Sequence, residues 1–280
     1  MGKNYKIVLN ISGSLFSAAI KTVLIVLIAY PFAWMFFTSF KPFSETLIYP
    51  PALLPSEWTT EGYDRAMSTI NIWHFFRNSV IISASVLITQ FFVVVPAAYA
   101  FARCRFPMKN VLFGIVLLGF MIPMQAVFIP IYLMFSRMGI LQSYLPQILP
   151  FVANAFGIFL LRQYFMQIPE EIIEAARLDN ATELQIIMRI MIPLAKTALI
   201  TIGLFAFISN WNAYFWPLII TTTNAYRPLP VGVAMLNETE TAKTWNMIMA
   251  GNMFLAGPIL LVYLFASKQI RNAFVYSGIK

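Results

Sequence analysis

The sequence predicts an all-α, polytopic membrane protein: one membrane domain over residues 1–280 with six transmembrane helices. Three observations lead there. Only 11% of the 280 residues are charged, whereas a soluble domain is about one quarter charged. Six stretches of at least 18 residues contain no Asp, Glu, Lys or Arg: Thr22–Phe40, Asn78–Ala102, Asn110–Ser136, Met138–Leu161, Thr197–Tyr226 and Thr244–Ser267. A helix crossing roughly 30 Å of hydrocarbon needs about 20 apolar residues, and each charge kept out of its centre avoids about 2.5–3.5 kcal/mol. Finally, the charges between the windows are unequally shared between the two sides.

Taken in order, the spans fall at roughly 20–40, 78–102, 110–136, 143–161, 197–222 and 247–268. Six crossings put both termini on one side. That side holds 13 of the 19 Lys and Arg, among them Lys3, Lys6, Lys21, Arg103, Arg105, Lys109, Arg162, Lys268, Arg271 and Lys280. The opposite side holds Lys41, Arg65, Arg77, Arg137, Arg227 and Lys243, balanced by Glu45, Glu57, Glu61, Asp64, Glu238 and Glu240. The positive-inside rule makes the termini cytoplasmic, and the basic pI becomes a topology signal rather than a nucleic-acid footprint. The first span has no clear small-residue cleavage site before it and reads as a retained helix. Its following loop carries the turn-rich Pro50-Pro51-Ala52-Leu53-Leu54-Pro55, an extended surface segment. Spans 3 and 4, joined around Arg137, form a tight hairpin. Pro31, Pro96, Pro123, Pro130, Pro217 and Pro258 lie inside spans, and each frees main-chain groups that neighbours must satisfy.

The long inside segment, 168–193, is the most charged stretch between two apolar runs. Pro169 suits a first helical position, with Glu170 and Glu171 in the first turn where the helix dipole favours acids. Leu178-Asp179-Asn180 reads as a turn, Asn180 and Glu183 as a capping pair for a second helix, and Leu184, Ile187, Met188 and Met191 as its apolar spacing. Two short helices across a turn have the shape of a DNA-reading motif, but five acids against three bases over 170–196 repel phosphate. A membrane-surface helix favours Lys and Arg on its polar face. A docking element for a soluble partner fits best, because the small Glu174-Ala175-Ala176 patch permits close approach.

"EAARLDNA" at Glu174–Ala181 with "IMIPL" downstream resembles the EAA signature of ABC-importer permease subunits. "TSFK" at Thr38–Lys41, "NS" at Asn78–Ser79, "AAYAFAR" at Ala97–Arg103, "MIP" at Met121–Pro123, "IPEEIIEAA" at Ile168–Ala176 and "WNAYFWPL" at Trp211–Leu218 are similar to its carbohydrate-type, MalG-like branch, in family order over nearly the whole chain. The resemblance implies a bacterial inner-membrane permease that pairs with a second, homologous permease. It further implies two ATPase subunits that bind ATP and Mg, an extracytoplasmic solute-binding protein and a sugar or oligosaccharide substrate. Glu174, Ala175 and Ala176 would dock in the ATPase cleft, with Glu174 facing a basic residue, and Asp179 and Asn180 would hold the turn. The family usually has Gly after the Asp. Asn180 therefore needs a positive φ, which Asn tolerates better than other non-glycine residues.

The residues themselves agree with a passive transport subunit. No G-x-x-x-x-G-K-[ST] run is present; the sole Gly-Lys is Gly2-Lys3. Cys104 is alone and His74 is the only histidine, so neither an internal disulfide nor a metal site is expected. No nucleophile–base pair points to catalysis. A secondary transporter would need a membrane-embedded ionisable group, and the windows hold none, which leaves that alternative only a sodium site built from main-chain carbonyls. The most polar cluster in any span is Ser209, Asn210, Trp211, Asn212, Tyr214 and Trp216. Asn210, Trp211, Asn212 and Tyr214 are candidate pathway residues, since amides offer donors and acceptors to hydroxyls and indoles stack on sugar rings. The same aromatics also suit an interface belt, and the amides also suit bonding to main chain freed by Pro217. The family's Glu after "WN" is here Ala213. Gln90, Gln125 and Asn154 read as interhelical hydrogen-bonding residues.

Overall fold

A computed structural model describes residues 2–237 and 244–276, with side chains over 17–237 and 244–267. Glu238, Glu240, Lys243 and Lys280 lie outside the described residues, as do the side chains of Lys3, Lys6, Lys268 and Arg271. Among the described residues there is no strand. The helices are α1 (Gly2–Ser39), α2 (Glu61–Thr69), α3 (Ile72–Arg103), α4 (Lys109–Met121), α5 (Met124–Arg137), α6 (Leu145–Ile148), α7 (Ala155–Gln167), α8 (Glu170–Leu178), α9 (Glu183–Ile186), α10 (Ile192–Leu194), α11 (Lys196–Trp211), α12 (Phe215–Ile220), α13 (Leu229–Met235) and α14 (Trp245–Tyr276).

Four stretches are long and apolar enough to cross a membrane: Ser17–Ser39, Ile72–Arg103, Leu145–Gln167 and Trp245–Ser267. The third expected span is not one straight helix. α4 and α5 meet at 97°, because Ile122 before Pro123 is forced into extended backbone, ψ 117°. At 13 and 14 residues, each half rises only about 20 Å, short of the bilayer core. The fourth span is interrupted between α6 and α7. The fifth is also discontinuous: α11 stops at Trp211, and α12 resumes at Phe215. Pro31, Pro96, Pro130 and Pro258 sit inside continuous helices.

The residues group into two compact units, 1–71 with 233–254, and 72–232 with 255–280. The second unit is centred on α3 and α7. Val94, Ala98 and Tyr99 of α3 pack with Ile158, Leu161 and Phe165 of α7, and Ile173, Ile186, Met191, Ala198 and Ile202 complete one apolar cluster. Basic side chains close its helix ends. Arg103 donates to the carbonyls of Phe165 and Ile168, Arg162 to Phe101 O at 3.0 Å, and Lys109 to Cys104 O at 2.9 Å, where the C-terminal dipoles of α3 and α7 favour cations. At the other end of α3, Asn78 donates to the carbonyls of Ala225 and Arg227 at 3.0 and 2.9 Å, and Ser79 Oγ accepts from Leu229 N–H at 2.8 Å. These bonds pin the irregular stretch before α13.

In the first unit, α2 approaches the start of α14 closely enough to demand glycine. A Cβ on Gly62 would lie 2.7 Å from Asn246 O and 3.1 Å from Ser39 O, both main-chain atoms that cannot rotate away. Asn246, fully buried, donates to Lys41 O at 3.1 Å and fixes the same corner. Gly62→Ala is expected to lower stability by about 1–3 kcal/mol, the range for overpacking a close site. Thermal denaturation of the detergent-solubilised protein measures it.

Candidate functional site: the α8–α9 joint and the polar cavity

α8 starts one residue after Pro169, which sits at its N-cap with extended backbone, φ −55° and ψ 138°. One side of α8 is buried: Ile173 is 0% exposed and Ala176 is half-buried. Glu171, Ile172, Glu174, Ala175 and Leu178 are exposed, Leu178 at 84%. Asp179 and Asn180 are exposed in the turn. The five residues expected to dock and hold the turn thus lie along one short stretch, four exposed and Ala176 at its buried edge.

The turn is closed by Asn180 N–H donating to Arg177 O and Ala181 N–H to Ala176 O, each at 3.0 Å. Asn180 has φ 59°, the left-handed conformation that Asn in place of the family's Gly called for. That assignment moves the second cap. Asn180 ends α8, and the capping box that opens α9 belongs to Thr182 and Gln185: Thr182 Oγ1 accepts from Gln185 N–H, and Gln185 Oε1 accepts from Thr182 N–H at 2.8 Å. Asn180 and Glu183 do not form the capping pair expected from spacing.

Glu183 instead ties three elements together. Its carboxylate accepts from Tyr99 Oη on α3 and from Arg177 Nε on α8 at 3.2 Å. Hydrogen bonding from Tyr99, then from Arg177, holds its carboxyl below the usual carboxylate range against the opposing effect of burial. Asp179 makes no side-chain hydrogen bond among the described residues, so Glu183 rather than Asp179 links the two short helices. At the start of α8, Glu170 pairs with Arg103 and lies 3.9 Å from Arg177. Beyond α9 the chain makes a π-helical turn at Ile187–Met191 and bends by 82° at Ala195 into α11.

The pathway candidates separate. Asn210 and Ser209 line a cavity of about 600 Å³ together with Gln90, Asn154, Phe120 and Phe156. Asn210 is 9% exposed and donates to its own Ala206 carbonyl at 2.8 Å. Trp211 is 2% exposed, stacks on Phe207 and donates to Leu255 O at 3.0 Å, in the turn before Pro258. It is a packing residue of α11 against α14 rather than part of the cavity wall. Asn212 and Tyr214 are exposed in the break after α11 and do not line that cavity. Gln90 and Asn154, expected only to bond between helices, do that and also face the cavity. Gln90 donates to Phe151 O at 2.7 Å, and Asn154 caps α7 by accepting from Gly157 N–H at 2.9 Å. They come from different helices, so no sequence spacing joins them; the available signal was an uncharged amide inside a charge-free window. No lining side chain carries a formal charge, and no cluster of three or more metal-ligating side chains occurs among the described residues.

Two outcomes test the joint. Asn180→Gly is expected to keep or raise stability, whereas Asn180→Val lowers it by about 1–2 kcal/mol, because a β-branched side chain fits left-handed φ far worse than Asn does; thermal unfolding reads both. A double-mutant cycle with Tyr99→Phe and Glu183→Gln is expected to show a coupling energy above about 0.5 kcal/mol, and additive single effects would refute the link.

Comparison with known proteins fits this geometry. Residues 94–275 match the family model described as "Binding-protein-dependent transport system inner membrane component". The inner membrane ABC transporter permease protein YcjP of Escherichia coli (strain K12) is 30% identical over 260 residues, 91% of this chain and 92% of that one. The arabinooligosaccharides transport system permease protein AraQ of Halalkalibacterium halodurans is 28% identical over 258 residues, 90% of this chain and 91% of that one. A chain from the crystal structure of a bacterial ABC transporter involved in the import of the acidic polysaccharide alginate superposes with a TM-score of 0.84 at 26% identity, covering 96% of this chain and 99% of that one. The fold, the multi-pass apolar helices and these matches agree that the chain belongs to the binding-protein-dependent transport system inner membrane components, the permease subunits of ABC importers, which are not themselves enzymes.

Proposed function

We propose that this chain forms one half of the passage of an ATP-driven importer for a sugar or oligosaccharide. It pairs with a second, homologous permease. Two ATPase subunits, which hold the ATP and Mg, dock on the inner face, and an extracytoplasmic binding protein delivers the solute. Both termini are cytoplasmic, and the six charge-free windows are six crossings, the third made of α4 and α5 together.

The observation that carries this reading is the exposure of α8 on a fixed base. Ile173 is buried to 0% and Glu183 ties α8 to α3, while Ile172, Glu174, Ala175 and Leu178 are left exposed. A partner that seats on that face moves α3, which also supplies Gln90 to the cavity. ATP binding and hydrolysis then bias two states of the passage by binding them unequally. The substrate class follows from the cavity's amides, hydroxyl and aromatic rings, which suit a neutral polyhydroxyl group. The arabinooligosaccharides named for AraQ support the same class, and the alginate importer, whose polysaccharide is acidic, supports a saccharide more broadly.

Glu174→Lys is expected to leave membrane insertion intact while uptake falls at least tenfold, because a carboxylate facing a basic cleft becomes a second cation. A tagged chain purified in mild detergent should bring down a second permease and an ATPase, with the ATPase lost in Glu174→Lys. Normal uptake by that variant would remove α8 from the coupling role.

A further inference from the structure

The Thr38–Lys41 stretch takes no part in the joint or the polar cavity. It closes α1 and, with Trp34, Glu45, Tyr49 and Trp245, lines a pocket of about 370 Å³ inside the first unit. The hydrogen bonding in this pocket is incomplete. Lys41 is 2% exposed, and its ammonium has three donors. One reaches Ala52 O. The Glu45 carboxylate is 3.8 Å away, beyond hydrogen-bond reach, and the Trp34 ring centre is 5.2 Å from Nζ. The Thr38 hydroxyl is buried with no partner. Glu45 uses Oε2 to accept from Ser56 N–H and Oγ–H at 3.1 and 2.9 Å, which leaves Oε1 toward Lys41. The pocket therefore offers unfilled donors from Lys41 and Thr38 beside one carboxylate oxygen, between aromatic walls.

Its surroundings are apolar. The 18-residue apolar stretch of α1 buries no residue within the chain, and Leu47, Ile48, Tyr49, Leu53 and Leu54 are all exposed. Such a loop is unfavourable against water, but beside Trp34 and Trp245 it suits the headgroup level of a bilayer. We propose that this pocket binds the phosphodiester of a phospholipid headgroup, with phosphatidylethanolamine preferred. Phosphate oxygens accept from Lys41 Nζ and Thr38 Oγ1, the strong charge-assisted arrangement. The headgroup ammonium takes Glu45 Oε1 and the ring faces, and the acyl chains lie along α1. Phosphatidylglycerol brings no ammonium and leaves Glu45 against the phosphate. The inference rests on α1 ending at a membrane surface, as the permease reading requires.

The test uses the complete importer in nanodiscs of phosphatidylethanolamine and phosphatidylglycerol in equal parts, followed by mild delipidation and native mass spectrometry. Wild type is expected to retain phosphatidylethanolamine over phosphatidylglycerol. Thr38→Val keeps the side-chain shape and is expected to cut that retention about tenfold, the worth of one hydrogen bond to a charged group. Because Lys41→Met alone leaves Glu45 buried without its cation, Lys41→Met/Glu45→Gln is the paired variant and is expected to abolish the preference. Retention unchanged in both variants, or equal retention of the two lipids by wild type, overturns the proposal. Displacement of the lipid by millimolar inorganic phosphate overturns the lipid source in favour of a free-anion site. Solute uptake by the same preparation is read alongside: uptake without selective lipid retention sinks this proposal and leaves the permease reading standing.

Discussion

Main-chain polarity inside a membrane is the constraint on which the rest of this structure depends. Hydrocarbon offers no hydrogen bonds, so every helix break at membrane depth must be repaired from within. The second unit is largely a set of such repairs. Pro150 has no N–H, so the Pro146 carbonyl four residues earlier lacks its helical partner; the Trp216 indole supplies one at 2.8 Å. The gap between α6 and α7 leaves Phe151 O to Gln90 and Gly157 N–H to Asn154. Polar side chains that look isolated in the sequence are therefore placed by the broken helices they mend.

This explains which parts were legible. Charge exclusion acts on whole windows, so six apolar stretches and an all-α membrane class could be read directly. Breaks are local, and their geometry depends on what repairs them. The Met121–Pro123 motif stood in plain view, but nothing in a charge-free window says that α4 and α5 meet at 97° rather than with a mild kink. At the joint, the left-handed Asn180 was deducible from its replacement of a glycine, because φ preference is a property of one residue. The cap of α9 was not, because Asn180 and Thr182 both head plausible capping patterns. The choice falls to Thr182 once Asn180 is committed to closing α8. Trp211 presents a similar choice: an indole suits a sugar face and a bare carbonyl equally well, and the structure gives its N–H to Leu255 O.

α3 connects the two candidate regions. It carries Tyr99 against Glu183, Gln90 at the cavity, and Asn78 and Ser79 at the stretch before α13. The alternative connection from the joint, through α9 to α11, contains a π-helical turn and an 82° bend, features that absorb displacement locally. A continuous 32-residue helix is the stiffer element. On the proposed reading, force applied at α8 therefore reaches the cavity through α3 before it reaches Ser209 and Asn210 through α11.

The same constraint bears on why the cavity is lined by amides. A fixed Lys or Arg there would cost about 2.5–3.5 kcal/mol whenever the passage is empty, and Asp or Glu would repel acidic solutes outright. Gln90, Asn154 and Asn210 avoid that cost because each already bonds to a main-chain group. An amide has donors and acceptors on two atoms, so a side chain can mend a helix with one and meet a hydroxyl with the other. On the proposed reading, repair and recognition are then performed by the same residues. Removing one for transport reasons also exposes a broken helix end, so a substitution at Gln90 or Asn154 lowers stability and uptake together, whereas Ser209, which mends no break, separates the two effects.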